Sequence, residues 1–430
     1  MNRDYPETLQ LEVTNKCNLK CQVCIRHVWN AKPSDMNLNL YMKLAKSEFP
    51  RIQRLVLYGF GEPFTNPNIL EMLRIANRHL PSDAQIVLST NGSLLNPMVA
   101  DKVVKEIGVD SISFSIDTFN IEKLGDLRSG MEPLKVIKNF HYMAGIKHQS
   151  KREIELGVES VITEDNLRDL PDLVKISAEN NVDFIIASHA IPYSEEIFAK
   201  TVYATISKRS IEIARPSLGY GWTMIHKATV ELFGLAYGTV TRPESSNILS
   251  EFWKSAEENG YWINLPLLFI LREKIERISE VEEIFRQSEK IAHEYQINLR
   301  LPSIYPDAKR RSCPYIGRNA LAVRYDGLVF PCQELMYPHP TYVNAHGKHI
   351  YEASFGDLNK ESLEAIWNKT RYIAFRKVRE NMVSRIPWCG DCAYSSLGCY
   401  YVKTNELDCQ GNEHTCAECL YSANIAQCNI

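Results

Sequence analysis

The chain has 430 residues, 45% hydrophobic and 23% charged, with a formal net charge of −3. That length exceeds one ordinary core and predicts two or three domains, while the balanced charge gives no electrostatic basis for binding nucleic acid. The polar start MNRDYPETLQ is no secretory signal, and the most apolar run, YWINLPLLFIL (261–271), is too short to span a bilayer. Interrupted by Asn264 and Pro266, that run reads as a buried helix or an interfacial face. A cytoplasmic protein without a membrane span is predicted.

From residue 8 to about 190, short β-rich runs alternate with amphipathic stretches. The runs are LQLEVT (9–14), RLVLYG (54–59), AQIVLST (84–90), SISFSID (111–117), IELGVESVIT (154–163) and VDFIIAS (182–188). Between them, NILEMLRIANRHL (68–80) sets Ile69, Met72, Leu73 and Ala76 on one helical face, and LPDLVKISAENN (170–181) is a second helix. Such alternation predicts parallel βαβ units. Six units are too few for a closed eight-stranded barrel, so a partial (β/α)6 TIM-like barrel is expected over residues 1–190, with its site just beyond the strand C-termini.

Residues 191–280 break the rhythm and predict a helical insertion, or cap, rich in aromatic residues including Trp222, Trp253 and Trp262. Helical periodicity returns over 281–295, where Val281, Ile284, Phe285, Ser288, Ile291, Ala292 and Tyr295 share a face. INLRLP (297–302) then predicts a closing strand, so that 281–302 supplies the last barrel helix and strand. Residues 303–430 form a separate, cysteine-rich domain. The chain shows no internal repeat and no low-complexity tract.

The twelve cysteines fall into clusters. Cys17, Cys21 and Cys24 follow the first strand, and nine more lie from Cys313 onward. A large chain without an export signal has little use for disulfides, so dense thiols read as metal or iron–sulfur ligands. Three thiolates leave one position of a cluster or ion unfilled. His27 is a candidate fourth ligand if the site is a zinc ion.

The spacing CX3CX2C after strand one of a βα barrel resembles the radical S-adenosylmethionine (SAM) superfamily. By that resemblance the three Cys hold a [4Fe–4S] cluster whose fourth iron binds the amino and carboxylate groups of SAM, and reduction yields a 5′-deoxyadenosyl radical. Further motifs follow successive strands. YGFGEP (58–63) resembles the family's GGEP motif, matched at Gly59, Gly61, Glu62 and Pro63, with Phe60 in place of a glycine. LSTNG (88–92) resembles its TNG turn, which carries Ser89, Thr90 and Asn91. FSID (114–117) offers Ser115 and Asp117 to the ribose or the methionine carboxylate, and Arg128 of RSG suits a carboxylate. VESVITEDN (158–166) resembles the region near adenine, with Val161 and Asn166.

Cys313, Gly327 and Cys332 match the opening CX9–15GX4C of the SPASM domain, which carries auxiliary clusters in many radical SAM maturases, here expected to be two [4Fe–4S] clusters. Around it, ALAVRYDGLVFPC reads as a hairpin about an Asp-Gly turn. The family continues with CX2CX5CX3C, whereas this chain has CX2CX6CX9C (Cys389, Cys392, Cys399, Cys409), then Cys416, Cys419 and Cys428. By resemblance Cys313 and Cys332 serve the first auxiliary cluster, and Cys389, Cys392 and Cys399 the second. Cys409 is expected to cross back to the first, with Cys428 or one of the Cys416/Cys419 pair closing the second. A zinc ribbon is the alternative for the two CX2C pairs.

The resemblance implies an enzyme that abstracts hydrogen from a substrate, served by an electron donor such as flavodoxin or ferredoxin. A peptide or protein undergoing crosslinking or oxidation is the expected substrate. The tail from Asp408 to Cys428 also resembles radical SAM proteins of tungsten-cofactor maturation, which makes a small molecule or pterin cofactor the alternative. A non-catalytic iron–sulfur or zinc scaffold is the reading of another class. The sulfatase-maturing branch places an acid directly after the GX4C cysteine. Gln333 stands there, followed by Glu334. Glu334, together with His189 at the end of the sixth strand, is a candidate catalytic residue.

Overall fold

A computed structural model describes residues 4–150, 153–218, 221–242 and 244–430 of the chain. Seven strands run parallel in sequence order: β1 (Thr8–Leu11), β2 (Arg54–Val56), β3 (Gln85–Thr90), β4 (Ser111–Ser115), β5 (Glu155–Ile162), β6 (Phe184–His189) and β7 (Asn298–Arg300). Their residues are largely buried on both faces, as a parallel sheet covered by crossover helices requires. Helix Ile69–His79 turns Ile69, Met72, Leu73 and Ala76 inward, and helix Leu170–Glu179 buries Leu170, Leu173 and Val174. The closing strand pairs with β6, Phe184 opposite Asn298.

Between β6 and β7 lie helices Glu195–Lys200, Lys208–Leu218, Gly221–Ala236, Ser246–Asn259 and Leu265–Ile270. The last buries Leu265, Pro266, Leu267 and Leu268, so the apolar run is part of the core. Trp262 is exposed, and the side chains of Trp222 and Trp253 fall outside the described residues. The periodicity over 281–295 is the second half of one long helix, Arg272–Glu294, which buries Val281, Ile284, Phe285, Ser288 and Ala292. Among the described residues no helix is long and apolar enough to cross a membrane.

The C-terminal region is joined to the barrel more closely than its composition suggests. Strand β8 (Ala320–Val323) pairs parallel to β1 from Thr8↔Ala320 to Leu11↔Val323. Strand β9 (Leu328–Phe330) returns antiparallel to β8 after a turn at Gly327, whose φ of +91° suits glycine. Strands β10 (His339–Thr341) and β11 (Lys348–Ile350) pair with each other, and β12 (Gly356–Asp357) pairs with β9. The main sheet therefore has ten strands. Residues 424–430 then thread along it: His189 N donates to Ile425 O (3.2 Å), Gln427 N to Ser188 Oγ (2.9 Å) and Asn429 N to the Tyr58 hydroxyl (3.1 Å).

A buried carboxylate also ties the two regions. Glu12, just past β1, accepts from Phe60 N at 3.1 Å and from the Tyr337 hydroxyl. Tyr337 packs on Trp29, ring centroids 4.3 Å apart. Burial pushes the Glu12 carboxyl up to about 7, although both hydrogen bonds and Arg324 pull the other way. A raised carboxyl pKa stabilises the fold below the unfolded value and loses that contribution as pH rises through the folded one. Wild type should therefore lose about 3 kcal/mol between pH 4.5 and 7.5 relative to Glu12→Gln, read as the difference in urea midpoints. Parallel pH profiles for the two proteins would contradict it.

Candidate active site

The loops after β1, β2 and β3 are fastened to one another by a single residue. Glu62 N donates to Lys16 O at 2.7 Å in the cysteine loop. Its carboxylate accepts from Thr90 Oγ1 (2.8 Å), Asn91 N (2.7 Å) and Phe64 N (3.1 Å). Burial raises the Glu62 pKa against those donors, and it is 2% exposed. Gly61 allows the approach: a Cβ there would lie 2.2 Å from Thr14 O and 2.6 Å from Lys16 O. From the other side, Lys20 N donates to Ser129 O (2.8 Å) and Gln22 N to Leu127 O (2.9 Å).

These loops wall a cavity of about 270 Å³ beyond the strand C-termini. Cys17, Cys21 and Cys24 line it with Gly59, Gly61, Glu62, Ser89, Thr90, Asn91, Ser115, Asp117, Arg128 and Val161. Pro63 and Asn166, also singled out in the sequence, act behind the wall. Pro63 starts a short 3-10 turn, and Asn166 Nδ2 donates to Asp117 O (2.9 Å) and Val161 O (3.0 Å). Tyr58, Phe60 and Tyr193 complete the lining. Tyr193 was not legible as a site residue; its one signal is its place a few residues beyond β6.

Arg128 and Asp117 form a buried bidentate pair, Nε–Oδ2 2.7 Å and Nη2–Oδ1 2.8 Å. Val161 N also donates to Asp117 Oδ1 at 2.9 Å. The Asp117 carboxylate is thus committed to protein donors, which differs from the expected direct contact with ribose or methionine. Its effect is to hold the guanidinium against the cavity wall, beside Cys21 and Cys17.

The three thiols fit a cationic cluster. Burial pushes Cys21 up to about 11 and raises Cys17 and Cys24, and Cys24 raises both of the others further. A metal charge offsets that penalty by taking them as thiolates. Asn91 Nδ2 stands 3.7 Å from Cys17 Sγ and Leu19 N 3.4 Å from it, donors suited to a thiolate. His27 does not complete a zinc site, because its Nε2 lies 2.9 Å from Cys21 O in a hydrogen bond. Among the described residues no three His, Cys, Asp or Glu side chains are grouped to hold a single ion.

His189 lies away from the cavity lining. Its ring is fully buried between Tyr203 and Phe285, both nitrogens lack a partner, and burial depresses its pKa to about 3. Glu334 lines a second, small cavity of about 70 Å³ with Cys332, Cys416 and Cys419. Its Oε1 sits 3.1 Å from His339 Nε2, and its Oε2 is buried without a partner. The His339 ring in turn meets Tyr193 edge-on, centroids 5.4 Å apart.

The C-terminal cysteines group differently from the family pattern. Cys332 is raised by Cys313, Cys416 and Cys419, and Cys419 by Cys416 and Cys313. Cys389 is raised by Cys392 and Cys399, and so is Cys409. Cys409 thus neighbours Cys392 and Cys399 and lines one cavity with Cys392, and Cys416 and Cys419 line another with Cys332, whereas the resemblance has Cys409 crossing back to the first cluster. The reason is local. The Asp408 carboxylate caps Gln410 N and Asn412 N, turning the chain at Cys409, and Cys389 N donates to Ala417 O (3.0 Å), drawing the later pair inward. Cys428 lies on the threaded tail, where it packs with Cys313 and Cys332 against one apolar cluster and has Glu159 and then Cys313 as its main electrostatic neighbours.

Asp117→Ala should destabilise the protein by about 3–5 kcal/mol by leaving the Arg128 guanidinium buried and unpaired, as measured by chemical unfolding. A loss below 1 kcal/mol would contradict the pairing. Gly61→Ala should displace the cysteine loop and lower the iron bound after reconstitution, while Gly347→Ala, where a Cβ meets nothing within 4 Å, should bind iron as wild type does.

Residues 11–176 match the radical SAM superfamily, and residues 313–393 match SPASM, the iron–sulfur cluster-binding domain. The tungsten-containing aldehyde ferredoxin oxidoreductase cofactor-modifying protein of Pyrococcus furiosus is 27% identical over 428 residues, 98% of this chain and 97% of that protein. GTP 3′,8-cyclase of Clostridium perfringens is 27% identical over 180 residues, 41% of this chain and 53% of its own length. Among solved structures, SuiB of Streptococcus suis bound to S-adenosylmethionine shares 14% identity with a TM-score of 0.50, covering 92% of this chain and 73% of that one. Native anSMEcpe with bound S-adenosylmethionine gives the same identity and TM-score over 91% and 88%. With the three thiols, the strand-end loops and the partial barrel in place, the chain belongs to the radical SAM superfamily and is an enzyme of that kind, binding S-adenosylmethionine, a [4Fe–4S] cluster and, in its SPASM domain, auxiliary iron–sulfur clusters.

Proposed function

We propose that the chain is a maturase that modifies the cofactor of an oxidoreductase of the tungsten-containing kind. The observation that carries this reading is likeness to the cofactor-modifying relative across both domains, including the C-terminal cysteine region. The barrel alone is also shared with GTP cyclases, so its match supports the radical chemistry and not the substrate. A peptide or protein substrate is the second reading, favoured by the SPASM match.

Cys17, Cys21 and Cys24 would hold the [4Fe–4S] cluster, which when bound would supply the electron for reductive cleavage of S-adenosylmethionine. The protein supplies binding and orientation. Arg128, fixed by Asp117, presents its remaining nitrogen to a carboxylate in the cavity. The Gly59–Glu62 backbone forms the wall next to the thiols, and Ser89, Ser115 and Val161 the wall toward β5. Tyr193 shields the open side. Glu334, with Oε2 buried and unpartnered among the described residues and Oε1 held by His339, is the proposed proton acceptor. A flavodoxin or ferredoxin in the cytoplasm is the proposed electron donor.

Cluster-loaded protein incubated anaerobically with reductant and S-adenosylmethionine should release 5′-deoxyadenosine, and Cys21→Ala should release none. Equal release from both would refute the assignment. Arg128→Met should weaken S-adenosylmethionine binding at least tenfold, about 1.4 kcal/mol, by equilibrium dialysis with full cluster content. Offered a pterin-type cofactor and a set of peptides, the enzyme should change the mass of the former; a mass change in a peptide alone would move the assignment to the second reading.

A further inference from the structure

Two arginines are buried among the C-terminal thiols, and they differ in one respect. Arg379, 3% exposed, is saturated: Nε donates to Cys416 Sγ (3.4 Å), Nη1 to Phe375 O (3.1 Å), and Nη2 to Glu413 O (3.1 Å) and His414 O (2.7 Å). Arg311, 5% exposed, donates only through Nη2, to Ile386 O. Its Nε and Nη1 are buried without a partner among the described residues. Leaving guanidinium N–H groups dry and unpaired is costly, so they imply acceptors that the protein itself does not provide.

The surroundings say what those acceptors are. The nearest electrostatic neighbours of Arg311 are Cys416 and Cys419 of the first thiol group, then Cys389 of the second, and then Asp391. Asp391 already accepts from Ser207 N (2.8 Å) and Ser207 Oγ (2.5 Å). The Trp388 ring, 5.3 Å from the guanidinium carbon, covers Arg311 on another side and offers no acceptor. What remains beside it is sulfur: Ile386, its one acceptor, packs among Cys313, Cys389 and Cys416, and Arg311 shares a cavity lining with Cys392 and Cys409.

We infer that Cys313, Cys332, Cys416 and Cys419 hold one auxiliary cluster, that Cys389, Cys392, Cys399 and Cys409 hold a second, and that Arg311 lies between them as a shared hydrogen-bond donor that sets their reduction potentials. Four thiolates to each cluster leave no iron open, and Cys428 stays a free thiol. A fixed positive charge donating to cluster sulfur favours the reduced, more negative state, so Arg311 raises both potentials. Arg311 is a positioning residue in this sense: it acts on substrate only through the clusters.

The test is a redox titration of anaerobically reconstituted, full-length protein, followed by electron paramagnetic resonance. Cys416→Ser and Cys409→Ser should each alter a different auxiliary signal, and Cys428→Ser should keep the wild-type iron content. In Arg311→Gln both auxiliary signals should move to more negative potential by at least tenfold in the reduction equilibrium, 59 mV for one electron. The signal of the cluster on Cys17, Cys21 and Cys24 should not move. Arg311→Lys, which keeps the charge and loses the fork, should fall between. Unchanged auxiliary potentials at full iron content would overturn the role. So would an equal shift of all three signals, a shift of one auxiliary signal alone, or loss of auxiliary iron from both Arg311 variants.

Discussion

Everything above the barrel depends on the buried carboxylate of Glu62. Three loops leave three parallel strands, and nothing in a parallel sheet fixes loops relative to one another. Glu62 does so by donating its backbone N–H to the cysteine loop and accepting from the turn after β3. The arrangement needs a residue without a side chain at 61, because two carbonyls of the cysteine loop occupy the space of a Cβ. A thiol triad that must meet one cluster is thereby held by backbone contacts, and not by the flexible side chains that line most cavities.

Around that hub the electrostatics follow one rule. Several interior charges have a partner chosen for geometry: Arg128 with Asp117, Lys348 with Glu418, Glu12 with the Tyr337 hydroxyl and Phe60 N–H. Glu418 shows the strength of the effect, since Lys348 and His346 beside it hold its carboxyl far below the usual range despite full burial. Groups left without a protein partner then stand out. Glu334 Oε2 and the two nitrogens of Arg311 both lie next to the thiols of the SPASM domain.

What the sequence discloses is whatever is written within a few residues. The CX3CX2C triad, the FGEP and TNG turns and the strand periodicity are local, and they predict the partial barrel and most of the cavity wall. Asp117 shows the limit of that reading. Its type and place are right for the site, yet its carboxylate is spent on Arg128 and Val161 N, a pairing no spacing announces. His189 sits at a strand end as a site residue would, but an aromatic sandwich from Tyr203 and Phe285 takes it. The cysteine partition fails for a like reason. Cys416 reaches Cys313 because of a turn at Asp408 and a backbone hydrogen bond at Cys389, both set by tertiary path and neither by cysteine count.

The pairing of β1 with β8 has a consequence for how the molecule comes into being. Thr8 is made well before its partner Ala320, which follows 312 positions later. Until then one edge of the first barrel strand has no neighbour, and at translation speeds of roughly 5–20 residues per second that interval lasts tens of seconds. An unpaired, apolar strand edge is a template for association with other chains. Contacts this distant in sequence also close slowly. The same hairpin that brings the auxiliary thiols against the barrel thus makes the nascent enzyme dependent on its last third, and chaperones have their longest opportunity to act on it before that third emerges.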